Sequence, residues 1–202
     1  MFNQDTIIAK ATGVGSSAIC LFRLSGINSI EMVSQCFHTK SKKKLINQKS
    51  HTIHLGTLQY EGVVLDEVLV TVFRAPHSYT GENVVEISCH GSNYIQEEVL
   101  RLFISKGAQP AKPGEFTMRA FLNGKLDLTQ AEAVSDLIYS DSEAMHKISL
   151  NQMRGGFQSE LKLLRADLLH FLSMIELELD FSEEDVSFAN KKDLIKLVDN
   201  VE

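Results

Sequence analysis

The stretch PGEFTMRAFLNGKLDLTQAEA, residues 113–133, separates two parts of the chain that follow different patterns. Before it, short apolar segments alternate with turns, as in a sheet with accompanying helices. After it, apolar residues recur at three- and four-residue steps, which is typical of helices alone. The stretch itself is rich in turn formers and polar groups, and binding residues concentrate on loops held by rigid elements. It therefore predicts a change of fold and a candidate binding region at the same place.

The part before this stretch predicts an α+β fold with a mixed sheet, in the order β-β-α-β-β-β-α. Residues 52–60 and 63–73 flank a Glu61-Gly62 turn, and Asp66-Glu67 predicts a bulge or second turn in the later strand. A short helix begins at Asn28 or Ser29, with Phe37 on its apolar face. The remaining predicted strands cover residues 6–11, 18–24 and 84–88, and a second helix covers residues 92–106.

The part after the stretch predicts an all-helical segment. Thr129-Gln130-Ala131-Glu132 matches a capping box, in which threonine and glutamate satisfy each other's free backbone donors. The helix it begins is expected to end before Ser140-Asp141-Ser142. An apolar stripe then indicates one helix over residues 143–180 if Gly155-Gly156 does not interrupt it, and another begins at residue 190. We expect a first domain at residues 1–118 and part of a helical domain at residues 119–202.

Composition places the chain among ordinary soluble proteins, with 44% hydrophobic and 23% charged residues. Its three cysteines are widely spaced and predict reduced thiols in a cytoplasmic protein. No apolar run is long enough for a membrane span, which needs about 18 residues. The net charge is −6, but residues 114–202 carry 9 Lys/Arg against 17 Asp/Glu. Such an acidic segment is a poor candidate for holding a phosphate backbone by itself.

Two charged residues stand inside apolar strands. Arg23 ends the run from Ala18, and a guanidinium there can bind a carboxylate or phosphate at two points; an ordinary surface arginine is the alternative. Glu86 lies among valines and isoleucine, where a carboxylate is costly unless it is paired. It can accept two parallel hydrogen bonds from an amino-pyrimidinone edge, or it can simply face solvent. Residues 77–83 have the length and polarity of a binding loop or of a plain surface turn.

Two further motifs resemble a phosphate-binding loop and a catalytic pair, but neighbouring residues argue against both interpretations. Gly124-Lys125 resembles part of a phosphate-binding P-loop, but the preceding glycine is ten residues back and Leu126 replaces the required Ser or Thr. Cys89-His90 suggests a nucleophile and a base, but neighbouring residues of a strand point to opposite faces. We predict no catalytic residue and no metal site in this chain.

Taken together, the motifs resemble the N-terminal part of a family of tRNA modification GTPases called MnmE or TrmE. The resemblance spans essentially all 202 residues in order. The matching segments are Asp5-Thr6-Ile7, Phe22-Arg23-Leu24-Ser25-Gly26, Ser78 to Glu86, His90-Gly91, Lys112 to Phe116, Leu126 to Ala133, and Asp180-Phe181.

The resemblance implies a tetrahydrofolate-binding and dimerisation domain, similar to domains of aminomethyltransferases, followed by the first part of a helical domain. It implies that 5-formyltetrahydrofolate is held by Arg23, Glu86 and Lys125. Arg23 and Lys125 would contact its anionic or carbonyl groups, and Glu86 its pterin edge. A homodimer through the first domain is also implied.

For the full-length protein, the resemblance implies a GTP hydrolase that acts with a flavoprotein partner called MnmG or GidA. Together they would add a carboxymethylaminomethyl-type group to the 5-position of the tRNA wobble uridine. GTP, magnesium and potassium would serve a GTPase domain that is absent here, so the fragment itself should have no GTPase activity. The alternatives are a stand-alone folate-dependent one-carbon or aminomethyl transferase, and a dimerisation scaffold.

Overall fold

The computed structural model describes residues 5–39 and 44–180, which form two compact units divided after Ala131. The first unit holds a mixed sheet with helices, and the second is helical, so the predicted α+β fold class is confirmed. The position expected for the domain boundary, after residue 118, falls inside the helix Glu115–Leu122. That helix and Lys125 belong to the first unit.

The sheet of the first unit has seven strands in the order β3-β4-β5-β6-β2-β1-β7 within the described residues. Neighbouring strands are antiparallel except β1 and β7, which are parallel. The strands are β1 (Ile7–Lys10), β2 (Ser17–Ser25), β3 (Phe37–His38), β4 (Thr52–Tyr60), β5 (Val63–Phe73), β6 (Val84–Gly91) and β7 (Gln109–Pro110).

The hairpin of β4 and β5 has the bounds that its alternating pattern predicts. Glu61 and Gly62 both adopt positive φ, at 49° and 80°, as a two-residue type I′ hairpin turn requires. The register shifts between Leu58 and Gln59, opposite Asp66. Leu65 is therefore the extra residue of a bulge, one position before the predicted Asp66-Glu67, and the bulge increases the local twist of the hairpin.

Two helices cover one face of the sheet and close the core. α1 (Ser29–Ser34) and α2 (Asn93–Ser105) supply Val33, Val99 and Phe103, which are fully buried against the inward side chains of the strands. Ser92 caps α2 by accepting a hydrogen bond from the Ile95 N–H. The prediction for Phe37 is wrong: it follows the end of α1 and lies in β3, where Leu58 of β4 is its partner.

The opposite face of the hairpin leaves apolar side chains exposed. Ile53 and Leu55 of β4 are 66% and 59% exposed, and Leu69, the register partner of Leu55, is 45% exposed. Because side chains alternate along a strand, the buried Leu58 and Val70 point to the other side. The hairpin is therefore apolar on both faces, although only one face is covered within the first unit.

Four helices follow the sheet: α3 (Glu115–Leu122), α4 (Leu128–Ile138), α5 (Glu143–Met153) and α6 (Gly156–Asp180). The predicted break at residues 140–142 is confirmed, and Ser142 caps α5 through the Met145 N–H. The segment 143–180 forms two helices, because Gly155 adopts φ 80° and interrupts the α-helix at the Gly155-Gly156 pair, where the sequence allows a break. The helix predicted from residue 190 lies outside the described residues.

The capping box of α4 is shifted by two residues from its predicted position. Asp127 Oδ1 accepts the Gln130 N–H at 2.8 Å, and Gln130 Oε1 accepts the Asp127 N–H at 2.9 Å. The Thr129 hydroxyl donates to Asp127 Oδ1 and does not cap the helix. The predicted Thr129–Glu132 box is therefore wrong, since Asp127 and Gln130 provide the reciprocal pair.

None of the helices within residues 5–39 and 44–180 is long and apolar enough to cross a membrane. In the same residues, no group of three or more His, Cys, Asp or Glu side chains is arranged to hold a metal ion.

Candidate functional site

Arg23 and Glu86 are register partners on the adjacent strands β2 and β6. Their neighbours Phe22, Leu24, Val85 and Ile87 are buried, so strand alternation directs both charged side chains to the opposite face of the sheet. Arg23 Nε and Nη2 both donate to Glu86 Oε1, at 2.8 and 2.6 Å. The structure thus brings together two residues that the sequence singles out separately.

The ion pair leaves one carboxylate oxygen open. Each oxygen of a carboxylate offers about two lone-pair sites, and Arg23 occupies both sites on Oε1. No described residue donates a hydrogen bond to Oε2, and the Glu86 side chain is 20% exposed. Glu86 can therefore accept further hydrogen bonds at Oε2 while the pair with Arg23 is intact.

Two aromatic rings flank the Arg23 guanidinium, and the sequence interpretation missed both. The centroids of the Tyr79 and Phe116 rings lie 5.3 and 5.7 Å from Arg23 Cζ, within the range of cation–π attraction. Tyr79 Oη is hydrogen bonded to the hydroxyl of Thr117 at 2.8 Å, which joins the loop before β6 to α3. Both rings lie inside quoted motifs, but nothing local in the sequence shows that they face Arg23.

Lys125 follows the end of α3 and lies against the same loop. Its N–H donates to the Ala120 carbonyl oxygen at 2.8 Å, which fixes the turn after the helix. A Cβ built on Gly81 would lie 3.2 Å from Lys125 Cγ and 3.1 Å from Asn123 Cβ. The lysine stem therefore packs on Gly81, and its ammonium has no hydrogen-bond partner among the described residues.

The Cys89-His90 motif does not form a nucleophile and base. Cys89 is buried, and burial, with smaller contributions from Cys20 and Asp66, raises the pKa of its thiol to about 12. His90 points to the other face, where its Nδ1 lies 2.7 Å from Asp66 Oδ1. A thiol that is protonated at neutral pH and turned away from the imidazole cannot act as an activated nucleophile.

Two cavities of about 520 and 640 Å³ lie at the opposite edge of the sheet, around β3 and β4. His38 and Thr39 line both of them, and neither contains Arg23, Glu86 or Lys125. The candidate site is a polar cluster made by β2, β6, the loop between β5 and β6, and the end of α3.

Family models match both parts of the chain. Residues 6–125 match the family model described as the N-terminus of the GTP-binding protein TrmE, and residues 128–202 match the MnmE helical domain. The chain belongs to the TrmE/MnmE family. The resemblance expected from the sequence motifs is confirmed.

Close relatives carry the name tRNA modification GTPase MnmE. The chain is 54% identical over 202 residues to the protein of Flavobacterium johnsoniae, covering 100% of this chain and 43% of that protein. It is 56% identical over 201 residues to the protein of Bacteroides thetaiotaomicron, covering 99% of this chain and 43% of that protein. The chain therefore spans less than half the length of these relatives.

Proposed function

We propose that the first unit binds 5-formyltetrahydrofolate through Arg23, Glu86 and Lys125. The observation that carries this proposal is the contact between Arg23 and Glu86, and one loop supports it further, since its Tyr79 faces Arg23 and its Gly81 packs against the Lys125 stem. This cluster offers a carboxylate acceptor, two cations and aromatic surface, which suits a planar aminopyrimidinone carrying anionic groups.

The hydrogen bonds around Glu86 indicate which of its carboxylate oxygens would contact the pterin. In the present geometry the ligand's donors meet Oε2, because Oε1 already accepts two bonds from Arg23. A two-point contact that uses both oxygens requires Arg23 to release at least one of those bonds. Arg23 then has a second role besides contacting the ligand, since it holds the Glu86 carboxylate in place until the ligand arrives.

Calorimetric titration of the folded chain with 5-formyltetrahydrofolate tests the proposal. We expect measurable binding, and we expect Glu86→Ala to weaken it by at least about 1.5 kcal/mol, the scale of a hydrogen bond to a charged group. Glu98→Ala is a matched control, because Glu98 pairs with Arg101 on α2, outside the candidate site. No heat at high ligand concentration, with the chain folded, would favour a dimerisation scaffold over a folate site.

We also propose that the chain forms a homodimer through the first unit. The exposed Ile53, Leu55 and Leu69 support this, because a contiguous apolar patch on a sheet face is typical of an interaction surface. Light scattering should give the mass of a dimer, and Leu55→Glu should shift it toward that of a monomer. Val14→Glu is the control, since Val14 is fully exposed in a loop. An unchanged mass for Leu55→Glu would remove this face from the interface.

For the full-length protein, we propose GTP-dependent modification of the tRNA wobble uridine together with an MnmG/GidA-type flavoprotein in the cytoplasm. Support comes from the name that the relatives carry, tRNA modification GTPase MnmE. GTP, magnesium and potassium would act in a GTPase domain, and this sequence contains no P-loop. We therefore expect no GTP hydrolysis by this chain alone. Release of a one-carbon-transfer product by this chain alone would instead favour a stand-alone transferase.

A further inference from the structure

Arg119 of α3 is a buried charge that joins three parts of the first unit. It is 7% exposed. Its Nη1 donates to the Asp5 carbonyl oxygen at 2.9 Å and to Glu82 Oε2 at 3.2 Å, while Nη2 donates to Glu115 Oε1 at 3.0 Å. The planar fork of an arginine can serve several acceptors in fixed directions, which a lysine cannot do.

Glu82 extends this network into the loop between β5 and β6. Its Oε2 accepts a hydrogen bond from the Ser25 hydroxyl at 2.7 Å. Ser25 is also 2.7 Å from the hydroxyl of Thr80, and both residues are fully buried. Asn123, after α3, donates from its side chain to the Thr80 carbonyl oxygen at 2.7 Å. The contacts from Arg119 to Asn123 therefore form one continuous polar network.

Each segment in this network carries part of the candidate site. Ser25 follows Arg23 by two residues on β2. The loop with Thr80 and Glu82 carries Tyr79 and leads directly into β6, where Glu86 lies. Asn123 precedes Lys125 by two residues. The network thus fixes the relative positions of the three residues proposed to hold folate, although it contains none of them.

We propose that Arg119 is the positioning residue of the folate site. The inference rests on the proposed function, and it assigns to Arg119 the task of keeping Arg23, Glu86 and Lys125 together. Removing one member of a buried charged network leaves its partners unpaired. Without Arg119, Glu82 would lose its charged partner, and the loop that packs on Asn123 and the Lys125 stem would be held less firmly.

The pKa of Glu115 shows that its neighbours in the network favour the ionised carboxylate. Burial alone would raise the pKa of Glu115, but hydrogen bonds from the Lys112 N–H and Arg119, with their positive charges, lower it overall. The carboxylate is therefore held ionised next to Arg119. Because Glu115 and Arg119 are one turn apart on the same helix, this pair anchors the guanidinium, while Glu82 transmits its position to the loop.

Folate affinity and hydrogen exchange of the loop amides, residues 77–83, should be measured for Arg119→Lys and Arg119→Gln in the whole chain. Calorimetry should give affinities that fall from wild type to Arg119→Lys to Arg119→Gln. Arg119→Gln should be weaker by roughly ten-fold or more, the factor expected for the loss of one hydrogen bond to a charged group. Loop exchange should accelerate in the same order, by about ten-fold for Gln, while exchange in α2 stays constant. Arg101→Gln is the matched control, because Arg101 pairs with Glu98 and is 65% exposed.

The inference would be overturned if the Arg119 variants fold and if their folate affinity and loop exchange both stay within two-fold of the wild-type values. If the Arg119 variants fail to fold, Glu82→Gln preserves the side-chain volume, and it should show the same paired loss. If wild type itself binds no folate, the proposed function fails. The exchange measurement then decides by itself whether Arg119 holds the loop in place.

Discussion

The two units of the chain bury their side chains to very different extents. In the first unit, Phe22, Leu24 and Ile87 are fully buried in a core shared by the strands and α2. In the described side chains of the second unit, only Ala133 and Ser149 are buried, while Ile138 and Leu163 are 72% and 67% exposed. The first unit therefore has an extensive core of its own, whereas the described part of the second unit buries only these two small side chains.

This difference shows what holds each unit together. Burial of apolar area is the largest favourable term in folding, so the stability of the first unit depends on its tertiary contacts. Helices with exposed apolar faces gain little from packing and depend more on caps and intrinsic propensity. A substitution in the core should therefore be costly in the first unit, and one on the apolar face of α6 should cost little.

The largest expected effect comes from deleting a core side chain of the first unit, compared with deleting an exposed apolar side chain of the second. Phe22→Ala should lower the free energy of unfolding by about 3–5 kcal/mol, because the ring is fully buried and leaves a cavity. Leu163→Ala on α6 should change it by less than about 0.5 kcal/mol. Urea unfolding followed by circular dichroism measures both. An equal loss for Leu163→Ala would mean that α6 packs against other groups in solution.

The sequence predicts those parts of the fold that have a local signal. The bounds of β4 and β5 follow from the alternation of apolar and polar residues on either side of Glu61-Gly62. The helix predicted from residue 92 also matches α2, whose N-cap is Ser92. By contrast, β3 and β7 are two-residue strands, formed by pairing with Leu58 and Ile7 from distant parts of the chain. No pattern within two residues can predict such pairing.

The candidate site shows the same division between local and distant information. Arg23 and Glu86 are recognisable because each is charged within an apolar strand, but their contact depends on the register of β2 and β6. The sequence alone does not assign Tyr79, Phe116 and Arg119 to the site, since their roles depend on how α3 meets the loop before β6. Local sequence therefore identifies residues, and packing determines their partners.

A glycine substitution tests how closely the loop before β6 packs on the end of α3. Gly81 and Gly62 adopt nearly the same backbone conformation, with φ of 79° and 80°. An alanine in this left-handed region costs about 1–2 kcal/mol at either position. At Gly81 its methyl group also meets Lys125 and Asn123, whereas nothing lies within 4 Å of a Cβ at Gly62.

We therefore expect Gly81→Ala to destabilise the chain more than Gly62→Ala in the same urea experiment. Only Gly81→Ala should also weaken the calorimetric affinity for 5-formyltetrahydrofolate, because it displaces the Lys125 stem. Equal effects of the two variants on both quantities would show that the Lys125 stem moves away from an added methyl group at no cost.

The smallest expected effect concerns the cap of α4, the helix that crosses from the first unit into the second. Asp127→Ala should cost about 1 kcal/mol, the usual loss for a helix N-cap. Thr129→Ala should cost less, because its hydroxyl only donates to Asp127 Oδ1 and caps no backbone group. Asp127→Asn is the control, since it keeps an oxygen that accepts the Gln130 N–H. If Thr129→Ala proves the more costly change in urea unfolding, the cap begins at Thr129, as its local motif alone would predict.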